Sequence, residues 1–99
     1  MKAPVRSFLA ECFWPGVTTA QLEELDTRAS RITAANTAVR YLGSMLTQED
    51  EVVFCFFEGS SASAVEQAAR RAEVPFARVL ESTELPTLAK QRQSRRRRP

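Results

Sequence analysis

Histidine is absent from this 99-residue chain, and the absence excludes a good deal of chemistry. Ser-His-Asp and Cys-His machinery, imidazole acid–base catalysis and every histidine-containing metal site go with it. Cysteine is scarce. Cys12 and Cys55 are the two thiols, too few for a disulfide-built secreted scaffold and suited to a reducing, cytoplasmic compartment. No run of eighteen apolar residues occurs, which excludes a spanning helix, and Met1-Lys2-Ala3-Pro4 lacks the apolar stretch of a signal peptide.

What is present begins with Glu51–Glu58, E-V-V-F-C-F-F-E. Six uninterrupted apolar residues between two carboxylates are too few for a buried helix and read as a strand. Alternation puts Val53, Cys55 and Phe57 on one face and Val52, Phe54 and Phe56 on the other. Both faces are apolar, so both call for a cover. A domain this small can cover one with its own helices; a second copy or a ligand has to cover the other.

The net charge of +2 hides an asymmetry. Lys90, Arg92 and Arg95 to Arg98 supply six of the 14 basic residues, leaving eight against 12 acids and about −4 over residues 1–89. The chain divides into a domain at 1–84 and a basic tail at 85–99. The tail lacks periodicity and is expected to be disordered.

Within the domain, Val5–Phe13 reads as a strand, broken by Trp14-Pro15-Gly16. Thr18 with Gln21 forms a capping box, and Val17 with Leu22 a hydrophobic staple. Leu22, Leu25, Ala29 and Ile32 then mark a helix of about 18 residues, with Glu23, Glu24, Asp26, Arg28 and Arg31 on its other face. Val39–Thr47 reads as a second strand, and Gln48-Glu49-Asp50 turns it into the third. A second helix starts from Ser60, Ser61 or Ser63 and carries a small-residue stripe of Val65, Ala68, Ala69 and Ala72. Phe76–Ser82 is the fourth strand. The order βαββαβ predicts an α+β, ferredoxin-like fold: a four-stranded antiparallel sheet ordered 4-1-3-2 with both helices on one face.

Residues 6–83 also resemble a bacterial ferredoxin-like family, a domain of unknown function linked to nickel-binding proteins. Trp14-Pro15-Gly16 with the T-x-x-Q helix start carries the likeness, as do Val39-Arg40-Tyr41-Leu42 leading into Ser44 and the run Val53–Gly59. Ser63-Ala64-Val65, Ala68, Ala72 and Val74–Val79 complete it. The resemblance implies a dimeric α/β barrel, two sheets packed by their helix-free faces, and it implies nickel as a ligand of some members. Without histidine, any metal here must use Cys12, Cys55 or carboxylates. No resident cofactor is expected, and nickel is the one the resemblance allows.

The candidate cavity residues are Glu11, Tyr41, Cys55 and Glu58. Glu11 and Glu58 flank apolar positions near strand ends, where a carboxylate can bind a cation or hold a proton. Tyr41 brings a polar tip to the same mouth. Cys55 is either a small core hydrophobe or a soft ligand facing the inter-subunit cavity, with Cys12 on the neighbouring strand. Trp14 reads as a lid on the sheet end. Arg95, Arg96, Arg97 and Arg98 are candidates for salt-sensitive contact with nucleic acid, without interleaved aromatics for base stacking.

The expectation is a small cytoplasmic homodimeric binding module, not an enzyme, with a small ligand or metal ion between its sheets. Two other readings remain open. One is a cofactor-independent enzyme of the dimeric-barrel type, with Glu11, Tyr41 and Glu58 handling protons. The other is a protein tethered to nucleic acid by its arginine-rich tail.

Overall fold

A computed structural model describes residues 6–35 and 38–82. Its elements are β1 (Arg6–Phe13), α1 (Thr19–Ala34), β2 (Val39–Thr47), β3 (Val52–Gly59), α2 (Ala62–Arg71) and β4 (Arg78–Ser82). The strands form one antiparallel sheet in the order β2-β3-β1-β4, the predicted order read from the other edge. The expected tail at 85–99 lies outside the described residues. Among the described residues, no helix is long and apolar enough to cross a membrane.

Strand alternation decides which side chains meet the helices. Phe8, Ala10 and Cys12 of β1 and Val53, Cys55 and Phe57 of β3 are buried, together with Leu25 and Ala29 of α1 and Val65, Ala68 and Ala69 of α2. The small residues of α2 let that helix lie close on the sheet. A Cβ on Gly59 would stand 2.9 Å from Val65 Cγ2, so β3 must end in glycine beneath this helix. Trp14, half-buried, packs on the core from the sheet end, as a lid would, and its N–H donates to the Glu51 carbonyl at 2.9 Å.

Local chemistry sets the helix ends. The Gln21 N–H donates to Thr18 Oγ1 at 3.1 Å and the Thr18 N–H to Gln21 Oε1 at 2.9 Å, which closes the predicted capping box. For α2 the cap is Ser61, whose hydroxyl accepts from the Ala64 N–H at 3.1 Å. That helix ends in a Schellman motif. The Glu73 N–H donates to the Arg70 carbonyl and the Val74 N–H to the Ala69 carbonyl, with Glu73 left-handed at φ 58°.

One irregularity matters for function. The β2–β3 register shifts between Tyr41 and Gly43, where Leu42 is the extra residue and Gly43 takes φ 133°. The bulge changes the parity of β2. Tyr41 opposes Phe57 and Ser44 opposes Cys55, so both lie on the helix-covered face although their numbers differ by an odd count.

Candidate functional site

The two faces of the sheet differ in chemistry. The helix-free face takes Leu9, Glu11 and Phe13 from β1 and Val52, Phe54, Phe56 and Glu58 from β3. Arg40 and Met45 of β2 and Arg78 and Leu80 of β4 stand beside them in register. Phe13 is 65% exposed and Met45 50%. Charge on this face is paired, with Glu11 set among Leu9, Phe13 and Phe54. Arg78 Nε lies 2.8 Å from Glu11 Oε1, and Arg40 reaches Glu58 more loosely at 3.9 Å.

The helix-covered face holds a polar cluster inside the apolar core. Asp26 of α1 accepts hydrogen bonds on Oδ1 from the Tyr41 hydroxyl and, at 2.9 Å, from Ser44 Oγ. The Tyr41 ring meets Phe57 edge-on, with centroids 5.2 Å apart. Its backbone N–H donates to Thr33 Oγ1 at 3.2 Å, and that hydroxyl in turn donates to the Ala29 carbonyl. Burial, and then the bond to Asp26, push the Tyr41 phenol up from its ordinary value.

Beneath Tyr41 lie the two thiols. Cys55 opposes Ala10 and Cys12 opposes Val53, so the cysteines are diagonal neighbours on one face, both fully buried and free. The Cys12 thiol donates to the Ala10 carbonyl at 3.9 Å. The neighbouring Cys55 side chain holds the Cys12 thiol below its usual range, while Cys12 and then burial push the Cys55 thiol above it.

The four predicted cavity residues therefore divide. Glu11 and Glu58 occupy the helix-free face. Tyr41 and Cys55 point the other way, into the core, so they do not line an inter-sheet cavity with the carboxylates. The bulge and strand parity are the reason. Arg95 to Arg98 lie outside the described residues. Asp26 and Arg28, expected on the solvent face of α1, turn inward: Arg28 Nε donates to the Ala72 carbonyl at 2.7 Å. A signal for Asp26 was available. It falls four residues after Leu22 and three before Ala29, inside the stripe that Leu22, Leu25, Ala29 and Ile32 define.

A family model described as nickel responsive protein SCO4226-like matches residues 8–81. The chain belongs to that family. The crystal structure of SCO4226 from Streptomyces coelicolor A3(2) is similar at a TM-score of 0.65 and 21% identity, covering 80% of this chain and 98% of that one. At that identity the likeness shows the fold. No curated protein matches the chain. In this SCO4226-like chain, the matched span runs from β1 into β4 and includes both the apolar face and the thiol cluster.

Proposed function

We propose that the chain is a small cytoplasmic binding module, not an enzyme, whose working unit is two copies packed by their helix-free faces. One observation carries this reading: an apolar field of Leu9, Phe13, Met45, Val52, Phe54, Phe56 and Leu80 on a face that no element among the described residues covers. Four strands spaced about 4.8 Å apart and about eight residues long present roughly 500 Å². Two such faces together reach the roughly 1,000 Å² that a specific interface requires. Glu11, between Leu9 and Phe13 on the central strand β1, is neutralised by Arg78 of the edge strand, and Glu58 by Arg40, so the face carries its charge in pairs. Two free, buried thiols support the cytoplasmic assignment.

A small ligand held between the faces would meet aromatic and aliphatic side chains together with Glu11, which lies among them on β1. The family description brings nickel to this chain as a candidate ligand. The donor set does not fit it. The chain has no histidine, and among the described residues no group of three or more cysteine or acidic side chains is placed to hold a metal ion. Glu11 and Glu58 could bind a cation only by giving up their arginines.

Light scattering on untagged protein at micromolar concentration tests the pairing. The expected mass is twice the 11.1 kDa of one chain, and Phe56→Glu is expected to give a folded monomer. A wild-type monomer that remains well folded would sink the reading.

A further inference from the structure

We infer that the two copies meet with their charges exchanged, Glu11 of each beside the partner's Arg40 and Arg78 of each beside the partner's Glu58. The inference rests on the pairing proposed above and fixes which way round the two faces meet.

Strand register supplies the layout. On the helix-free face Arg78 of β4, Glu11 of β1, Phe54 of β3 and Met45 of β2 stand in one row across the sheet. The next row on this face holds Leu80, Leu9, Phe56 and Gly43, and the row after it Ser82, Ser7, Glu58 and Arg40. Glu11 and Arg40 are therefore two strands and four residues apart, about 10 Å across the sheet and about 13 Å along it. Arg78 and Glu58 are separated by the same displacement in the same direction, and Phe54 and Gly43 by half of it. A two-fold axis lying between the sheets, over Leu9 and Phe56 and at right angles to that displacement, brings each charge to its opposite. The same axis lays Phe54 over the partner's Gly43, where a Cβ would meet nothing within 4 Å. The strands of the two sheets then cross steeply, in the orthogonal class of sheet packing.

Other orientations strand the charges. An axis along the strands lays Glu11 on the partner's Phe54 and Arg78 on the partner's Met45. One across the strands lays Glu58 on the partner's Phe54 and Arg40 on the partner's Met45. The opposite diagonal brings Arg78 against the partner's Arg78. Each of these takes charges out of water and gives them no further partner, which is costly. The exchanged arrangement gives every charge a second opposite neighbour. Donors are available for it, because Arg78 meets Glu11 through Nε and Arg40 reaches Glu58 only at 3.9 Å, which leaves each guanidinium with further N–H groups.

The test uses full-length, untagged chains. Glu11→Lys and Arg40→Glu each set like charges against one another in their own homodimers, which are expected to weaken by about tenfold or more. Mixed in equal amounts, each chain supplies the charge that the other needs. Native mass spectrometry is expected to find roughly nine-tenths of the dimer as heterodimer, against about half for random exchange. Repulsion within a chain, from Arg78 in the first variant and Glu58 in the second, is the same in homodimer and heterodimer and cancels. Arg78→Glu mixed with Glu58→Lys repeats the test at the other contact, and circular dichroism checks that every variant is folded. A wild-type monomer would overturn the pairing and this arrangement together. A wild-type dimer whose folded variants exchange at random in either mixture would overturn the arrangement alone.

Discussion

Tyr41 is the residue on which most of the internal polar structure converges. Its hydroxyl donates to Asp26, its N–H to Thr33, and its ring packs on Phe57. Tyr41→Phe leaves the ring in place and removes one donor from Asp26, at an expected cost of about 1–2 kcal/mol at pH 7. The folded-state phenol pKa is raised, so the unfolded chain loses this proton first as pH climbs. The stabilisation is therefore complete below about pH 10, the unfolded value, and fades above it. Urea midpoints of wild type and Tyr41→Phe should converge between pH 8 and pH 11; a constant gap would contradict this. Gly59 gives a second prediction at this scale. An alanine there drives its Cβ to 2.9 Å from Val65 Cγ2, and Val65 is fully buried and has little room to move. Gly59→Ala should cost about 1–3 kcal/mol. A double-mutant cycle with Val65→Ala should show the two sites strongly coupled.

Among the elements, the helices were the most legible and β2 the least. Thr18 and Gln21 announce the start of α1, and the hydroxyl and amide pair as their spacing requires. Thr18→Ala should cost about 1 kcal/mol, read by chemical denaturation. The end of α2 is less economical. Glu73 occupies a left-handed position that glycine takes without strain, so Glu73→Gly should raise stability by about 0.5–1 kcal/mol. Thermal unfolding would reveal the gain as a higher midpoint. The bulge in β2 had no comparable signal. Its single glycine, Gly43, marks the position only once β3 is known to oppose it, because a bulge is a mismatch between two strands. Tyr41 was accordingly placed at the barrel mouth from sequence, while the shifted register turns it to the helices.

For the whole molecule, the unbalanced quantity is the helix-free apolar face. Among the described residues, the sheet has helices on one face only, and the other exposes Phe13 and Met45 beside Phe54 and Phe56. If two copies cover it, stability depends on concentration, because association stabilises only the folded chain. The unfolding midpoint of the wild type should rise with protein concentration, whereas that of a folded Phe56→Glu monomer should not.

Some of this was determined along the chain alone. Hydrophobic periodicity gave the six elements and their order, and the apolar run at Val52–Phe57 made β3 a central strand. The lack of histidine had already removed imidazole chemistry. Period-two alternation also decides that Val53, Cys55 and Phe57 share a face, because it is a property of the strand itself. Which face the helices take is a relation between distant segments, and only the tertiary structure decides it. The same holds for Asp26 reaching Tyr41 and Ser44 across a bulge, and for two thiols 43 positions apart meeting as diagonal neighbours. Packing between strands and helices sets these contacts, and no local pattern encodes them.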